Sequence, residues 1–136
     1  MAWRGAEQGA AAARAGHDVV MAPQDRTYFS QYETEGPEPL GAGGLLTLEE
    51  VYRFDPVPAG LTPAESAHIL GAQGQLWTEF VAGPERAEYQ LWPRLAALAE
   101  VLWAPPGERD FQAFRTRLGP HLERLEALDV AFHPQP

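Results

Sequence analysis

Two short segments of strand-like composition, 17–21 and 69–72, constrain the fold of this chain more than any other feature. The first is rich in β-branched residues and follows an Ala-rich helical run, and the second precedes a long helical run. Strands that alternate with helices predict parallel pairing, with the helices packed over the sheet. Two parallel strands alone would leave both sheet edges open and the apolar helix faces uncovered. The sequence therefore predicts an α/β fold that is completed by further strands.

The start of the chain leads to the same expectation. Trp3 stands immediately before the first helical run, and no segment precedes it against which that helix could pack. We therefore expect the chain to begin inside a larger fold, whose remaining strands belong to the same protein or to another chain.

Local signals predict the helices of the first half. Residues 5–15 are Ala-rich, and Gly16 follows as a C-terminal cap. The pattern Thr47-Leu-Glu-Glu50 predicts a capping box and a short helix through Phe54. A further helix start is predicted at Thr62-Pro63-Ala-Glu65, where Pro63 would stand at the first helical position.

The second half is predicted to be helical. One long helix should run from Gly83-Pro84 to Trp103, where Pro105-Pro106 would stop it. A last amphipathic helix should span 111–125, with a kink at Gly119-Pro120. The predicted buried stripe of the long helix consists of the residues at three- and four-residue spacing, namely Tyr89, Trp92, Leu95, Ala96, Ala99 and Leu102.

Composition excludes several classes of function. Nineteen acidic and ten basic residues give a net charge of −9, which argues against nucleic acid and anionic membranes as partners. The absence of Cys removes thiol catalysis, disulfides and thiolate metal sites. His17, His68, His121 and His133 lack metal-ligand spacing and are interpreted as surface or core histidines. No run approaches the roughly 20 apolar residues of a membrane span, and neither a cofactor nor a compartment is indicated.

The stretch Gly71-Ala-Gln-Gly-Gln-Leu-Trp77-Thr-Glu79 carries the first indication of function. As a strand it would place Trp77 and Glu79 on one face, because side chains alternate. An aromatic ring can cover the apolar side of a sugar while a neighbouring carboxylate accepts hydrogen bonds from its hydroxyls. The alternative is core packing beside a solvated rim, which is the more common reason for such a pair.

Further aromatic residues are predicted on the same rim. Ligand sites of parallel α/β folds lie beyond the C-terminal ends of the strands. Trp3 precedes the first helix, Tyr28 and Tyr32 follow the first strand, and Trp77 with Glu79 ends the second. The alternative is packing for Trp3 and simple loop exposure for the two tyrosines.

A series of short motifs resembles that of a known family. The motifs are Trp3-Arg-Gly5, Gly16-His-Asp-Val-Val-Met21, Pro23, Tyr28-Phe29, Glu38-Pro39, Gly43-Gly44, Thr47-Leu-Glu-Glu-Val-Tyr52, Pro56-Val-Pro58, Ile69-Leu-Gly71, Leu76-Trp-Thr-Glu79 and Pro93-Arg94 through Trp103. In this order and spacing they resemble the C-terminal part of the catalytic barrel of glycoside hydrolase family 20, the exo-acting β-N-acetylhexosaminidases. Each motif alone is weak, but the ordered series is specific and covers nearly the whole chain.

The resemblance implies the C-terminal portion of a (β/α)8 TIM barrel, with about strands six to eight and their helices. Residues 1–104 would form these units, and residues 105–136 the C-terminal amphipathic helix that packs on them. Such a portion is incomplete as a barrel by itself.

The family's reaction is retaining and substrate-assisted, because the 2-acetamido oxygen of the sugar attacks its own anomeric carbon. By resemblance, Trp3 and Trp77 form part of the aromatic wall around the sugar. Tyr28 donates to the acetamido oxygen, and Glu79 accepts from ring hydroxyls. The implied ligand is a terminal N-acetylglucosamine or N-acetylgalactosamine residue of a glycan, and no cofactor or metal is implied.

One essential part of the family pattern is missing from this sequence. The family's general acid and its orienting partner are an adjacent Asp-Glu on strand four, and the chain has no Asp-Glu dipeptide. The nearest imitation, Glu49-Glu50, stands in the first turn of a predicted helix, where acids favour the helix dipole. No catalytic residue is therefore predicted in this chain.

Three other positions bear on the resemblance. Ser30 stands where many relatives have Asp or Asn, so that either Tyr28 or Tyr32 could be the aligned tyrosine. Arg94 and Glu100 match the family, and we interpret them as a structural ion pair or helix contact rather than as catalytic groups.

Three hypotheses follow. The first is a fragment of an exo-acting β-N-acetylhexosaminidase that holds part of the sugar-binding wall and is inactive alone. The second is a stand-alone carbohydrate-binding or assembly module. The third is one half of a split enzyme, whose partner chain supplies the N-terminal part of the barrel.

Overall fold

Helices and two short strands alternate along the chain. The computed structural model describes residues 1–105 and 107–135, so Pro106, half of the predicted helix stop, and Pro136 lie outside the described residues. In chain order the elements are α1 (Ala6–Arg14), β1 (Val19–Met21), α2 (Gln24–Thr27), α3 (Leu48–Tyr52), α4 (Pro63–Ser66), β2 (Ile69–Ala72), α5 (Pro84–Leu91), α6 (Arg94–Trp103) and α7 (Phe111–Ala127).

The two strands pair in parallel, as their alternation with helices predicts. Met21 of β1 lies opposite Ala72 of β2. On its other side Met21 forms a parallel bridge with Ala2, whose N–H donates to the Val20 carbonyl at 2.9 Å. Three parallel segments therefore lie side by side, and Trp3 follows directly on the outermost of them.

The local helix signals act as the sequence predicts. Gly16 follows α1 with a φ of 77°, a conformation that glycine adopts without a steric penalty. Thr47 and Thr62 each form a complete capping box, at the starts of α3 and α4. The predicted helix through Phe54 ends slightly earlier, at Tyr52.

Apolar side chains from the sheet and the helices α1, α3, α6 and α7 form one core. Tyr52 stacks on Phe114 with ring centroids 4.8 Å apart, which joins α7 to α3. The buried members of the cluster are Ala2, Ala13, Val19, Met21, Phe29, Leu46, Leu48, Val51, Tyr52, Phe54, Ala97, Leu98, Val101, Phe114 and Leu118.

The prediction of a strand over 71–79 is wrong beyond the first two residues. β2 ends because its neighbour β1 gives way to α2, so no continuous partner strand remains. The Gln75 N–H instead donates to the Thr27 carbonyl at 2.7 Å, beyond the end of β1. Trp77 and Glu79 consequently lie in the loop after β2, where strand alternation does not apply.

The prediction of one helix over 84–103 is also wrong. Trp92 has an extended ψ of 136°, because the residue before a proline is disfavoured in the helical region, and Pro93 lacks an N–H to continue the helix. The break shifts the phase of the buried stripe, so Ala99 and Leu102 are exposed. The buried residues of α6 are Arg94, Ala97, Leu98 and Val101.

The end of the chain folds back on α5. Asp110 caps α7, and the helix is not broken at Gly119-Pro120, where a kink stays a prediction. The N–H of Ala131 donates to Glu88 at 2.9 Å. Among the helices of the described ranges, none is long and apolar enough to span a lipid bilayer.

Candidate functional site

An open cavity of about 720 Å³ lies beyond the C-terminal ends of the parallel segments. The N-terminal segment, the segment after β1 and the loop after β2 each supply part of its wall. The lining residues are Met1, Trp3, Gln24, Tyr28, Ser30, Gln31, Ala42, Gly43, Gln75, Trp77, Glu79 and Phe80. The four residues named from the sequence, Trp3, Tyr28, Trp77 and Glu79, therefore lie around one cavity.

The aromatic side chains form the apolar part of this wall. The rings of Tyr28 and Trp77 are 6.2 Å apart and tilted by 50°. Trp3 and Trp77 keep 46% and 52% of their surface exposed, far more than tryptophans that pack in a core. Exposed tryptophans at the mouth of a cavity leave ring faces free for an apolar ligand surface.

Backbone hydrogen bonds join the Tyr28 wall to the Trp77 wall. The Phe29 N–H donates to the Gln75 carbonyl at 2.8 Å, next to the parallel bridge between Tyr28 and Gln75. Gly74 permits this approach, because a Cβ at its position would lie 2.7 Å from the Phe29 ring. The two walls are thus held together by the chain between them.

The polar side chains of the cavity are three amides, the hydroxyls of Tyr28 and Ser30, and one carboxylate. Glu79 is exposed at the edge of the cavity beside Trp77. The Gln31 amide donates to the Gln24 carbonyl at 3.1 Å. Such neutral amides together with a single acidic group suit an uncharged ligand with several hydroxyls.

Tyr28, and not Tyr32, faces Trp77. The hydroxyl of Tyr32 accepts a hydrogen bond from the Gly41 N–H at 3.3 Å, and Tyr32 forms a parallel bridge with Leu45. Its side chain therefore stabilises the 28–46 loop and does not line the cavity.

The Glu49-Glu50 pair has a structural role. Glu50 accepts from the Thr47 N–H at 2.8 Å as part of the capping box, and Glu49 pairs with Arg53 one turn later. Both contacts stabilise α3, as expected for acids in a first helical turn.

Arg94, interpreted from the sequence as part of a structural ion pair or helix contact, lies in a buried ionic cluster behind the cavity, whose other members were not predicted. Arg94 is 1% exposed, and its Nε lies 3.1 Å from Oε2 of Glu33, which is itself buried. The segment after α7 covers this pair, because Gln135 donates to Oε1 of Glu33 at 2.9 Å. His133 lies beside it, with Nε2 3.5 Å from Glu38. A lone Arg on a helix face of apolar residues was the signal available in the sequence.

Burial sets the protonation of this cluster. It raises the pKa of Glu33 to about 7, against the opposing effects of the Arg94 cation and the Gln135 hydrogen bond. Burial also lowers the pKa of His133, although the Glu38 carboxylate opposes this shift. Burial alone would raise the pKa of Glu38, but hydrogen bonds from Thr34 outweigh burial and lower this pKa. Within residues 1–105 and 107–135, no three His, Asp or Glu side chains are grouped as metal ligands.

Comparison with known proteins identifies the family of this chain. The family model for the catalytic domain of glycosyl hydrolase family 20 matches residues 1–106. The chain belongs to glycosyl hydrolase family 20. As a member of this family of glycosidases, it is similar to a β-hexosaminidase of Porphyromonas gingivalis, with 39% identity over 98% of this chain and 17% of the relative. A β-N-acetylhexosaminidase of Cellulomonas fimi is 32% identical over 93% of this chain and 25% of the relative.

Solved family 20 structures share this fold. The exo-β-N-acetylglucosaminidase of Vibrio harveyi, solved in complex with N-acetylglucosamine, superposes with a TM-score of 0.84 and 33% identity, over 97% of this chain and 21% of that one. The β-N-acetylhexosaminidase of Streptomyces coelicolor A3(2) gives a TM-score of 0.81 with 31% identity, over 93% and 26%. This family 20 chain therefore spans about a quarter or less of the length of these relatives.

Proposed function

We propose that this chain forms the sugar-recognition wall of an exo-acting family 20 β-N-acetylhexosaminidase, as the part of its (β/α)8 barrel that contains about strands six to eight. Residues 1–104 would be the βα units, and residues 105–136 the helix and tail that pack on them. The convergence of Trp3, Tyr28, Trp77 and Glu79 on one cavity carries the proposal. The proposed ligand is a terminal N-acetylglucosamine or N-acetylgalactosamine residue of a glycan.

In this proposal each lining residue has a distinct task. Trp3 and Trp77 cover the sugar and exclude water from its acetamido group. The Tyr28 hydroxyl donates to the acetamido oxygen and so holds it near the anomeric carbon, which makes the attack effectively unimolecular. Glu79 accepts hydrogen bonds from ring hydroxyls and distinguishes the terminal sugar from internal ones. Configuration is retained because the substrate's own acetamido group occupies the opposite face during the first step.

The general acid is the part that this chain does not contain. Its sequence has no Asp-Glu dipeptide, and Glu49 and Glu50 are engaged at the start of α3. Positioned acid catalysis contributes about 10²- to 10⁴-fold in rate. We therefore propose that the chain binds the sugar but cleaves it only together with the remainder of the barrel, in one protein or as a partner chain.

Calorimetric titration with N-acetylglucosamine tests the recognition role. We expect the chain to bind the sugar and Trp77→Ala to bind it about tenfold more weakly, a loss that corresponds to about 1.4 kcal/mol. Trp103→Ala is the matched control, because Trp103 is 88% exposed at the end of α6 and does not line the cavity. Equal binding by the native chain and Trp77→Ala, or no binding by the native chain, would contradict the proposal.

Hydrolysis of a chromogenic N-acetylglucosaminide tests whether cleavage requires the remainder of the barrel. The chain alone should be inactive, and activity should appear when the N-terminal part of a family 20 barrel is added. Glu79→Gln in the reconstituted enzyme should raise KM. A stand-alone binding module would instead bind the sugar without ever gaining activity from such a partner.

A further inference from the structure

Arg94 lies behind the cavity wall, at the first position of α6. Its guanidinium donates to four backbone carbonyls, at 2.7 Å to Phe29, 3.1 Å to Gln31, 3.0 Å to Leu46 and 2.9 Å to Gln90. Its carbon Cζ also lies 5.4 Å from the centre of the Phe29 ring. One buried side chain thus ties together both ends of the 28–46 loop.

The loop depends on such an external partner. Between the end of α2 at Thr27 and the start of α3 at Leu48 it contains no helix or strand, only single bridges at Tyr28 and Tyr32. Buried carbonyls outside regular structure need donors from elsewhere, since each unpaired polar group destabilises the fold. Arg94 supplies these donors from a rigid helix.

The contact extends to the second wall of the cavity. Arg94 donates to the Phe29 carbonyl, and the N–H of Phe29 donates to the Gln75 carbonyl at 2.8 Å. Tyr28 precedes Phe29 in the chain, and Trp77 follows Gln75 by two residues. The guanidinium is therefore connected through the Phe29 backbone to both aromatic walls, although Arg94 itself does not line the cavity.

A lysine could not replace this arrangement. The planar guanidinium offers five donors in a fixed fork, whereas an ammonium group offers three donors around a single point. The Glu33 carboxylate balances the charge, with Oε2 3.1 Å from the Arg94 Nε, and His133, Glu38 and Gln135 lie around that carboxylate.

We propose that Arg94 is a positioning residue that sets the separation of the Tyr28 and Trp77 walls by holding the Phe29 backbone. The inference rests on the proposed function of the cavity as a sugar-recognition wall. It gives a role to Arg94 of the Pro93-Arg94 motif, which the binding residues alone do not explain.

Arg94→Lys in the 136-residue chain tests the proposal, with Arg117→Lys as the matched control. Arg117 also lies on a helix and pairs with a glutamate, Glu100, but it is exposed and remote from the cavity. We expect Arg94→Lys to accelerate hydrogen exchange of the Phe29 and Gln75 amides at least tenfold more than that of the Leu118 amide in α7. Its dissociation constant for N-acetylglucosamine should rise by a similar factor. Arg117→Lys should change neither quantity.

Two results would overturn the proposal. The first is unchanged exchange at Phe29 and Gln75 in folded Arg94→Lys, and the second is acceleration that is uniform along the chain, as a merely structural role would give. If the native chain does not bind the sugar, the proposed function fails, but the exchange comparison still decides the positioning role.

Native-state exchange of the unmutated chain decides the case in which Arg94→Lys does not fold. If Arg94 joins the two ends of the loop, the amides of Phe29, Leu46 and Gln75 should open as one unit, with the same dependence on low denaturant concentration. Separate opening of Phe29 and Leu46 would contradict the proposal.

Discussion

The hydroxyl of Tyr52 on α3 donates a 2.7 Å hydrogen bond to Glu100 on α6. The same carboxylate accepts from Arg117 on α7 at 2.7 Å, so three helices meet at one group. Tyr52 is 3% exposed, whereas Arg117 lies at the surface.

Tyr52→Phe should therefore destabilise the chain by about 1 to 2 kcal/mol, because a partly buried hydrogen bond to a charged acceptor is lost. Urea unfolding measures this loss. Arg117→Ala, which removes the exposed partner of the same carboxylate, should cost less, since exposed ion pairs contribute little. A larger effect of Arg117→Ala than of Tyr52→Phe would refute this ranking.

Gly74→Ala should destabilise the fold and loosen the cavity. The added Cβ would lie 2.7 Å from the Phe29 ring and 3.2 Å from Leu98, so the surrounding core must shift at a cost of about 1 to 3 kcal/mol. Gly119→Ala is the control, because apart from its chain neighbours nothing lies within 4 Å of its added Cβ. Alanine is the better helix former, but Pro120 follows directly and disfavours a Cβ in the helical region, so the net change should stay below about 1 kcal/mol. Thermal unfolding of both variants checks that Gly74→Ala is the more destabilising.

The pH dependence of stability should show the titration of Glu33. Its pKa is raised by burial from 4.5 to about 7, so the native state holds its proton more tightly than the unfolded state. The stabilisation is complete below about pH 4.5 and is lost as the pH rises through about 7. The contribution of His133 has the opposite sign. Its pKa is lowered in the native state, so the native state loses stability as the pH falls below the usual pKa of histidine.

Comparison with Glu33→Gln isolates the first of these contributions. The free energy of unfolding of the native chain, minus that of Glu33→Gln, should decrease between pH 4.5 and 7. Glu35→Gln serves as the control, because Glu35 is exposed in the same loop. A difference that is flat or that increases over this range would rule out the raised pKa.

The two capping boxes should differ in what they contribute. Thr47→Ala should destabilise the whole chain by about 1 kcal/mol, because α3 buries Leu48, Val51 and Tyr52 in the core. Thr62→Ala removes an equivalent cap from α4, which has no buried residues. It should fray that turn with a smaller global effect. Chemical denaturation together with hydrogen exchange of α4 distinguishes these outcomes, and equal global losses would contradict the argument.

Signals that act within a few residues made much of the fold predictable. The caps at Thr47 and Thr62 depend on contacts three residues apart, and parallel pairing follows from the alternation of strands and helices. The placement of Trp3, Tyr28, Trp77 and Glu79 around one cavity follows from the rule that parallel strands end on a common rim. Their tasks in sugar binding stay predictions.

Breaks in regular structure were predicted less well. The interruption at Trp92-Pro93 was present in the sequence as a proline inside a helical pattern, and overlooking it misplaced the buried stripe of α6. The end of β2 could not be predicted locally, because it depends on where the neighbouring strand β1 turns into α2.

The Trp77-Thr-Glu79 motif, the missing Asp-Glu pair and the ordered family motifs were determined by the sequence alone. Only the tertiary structure decided that Tyr28 rather than Tyr32 faces Trp77, and that Arg94 holds both ends of the 28–46 loop. The bond from Arg94 to Phe29 joins residues 65 positions apart, and its partner Glu33 meets a tail residue 102 positions away. Such contacts form because burial requires every carbonyl and charge to find a partner, and which partner is near is a property of the packed chain.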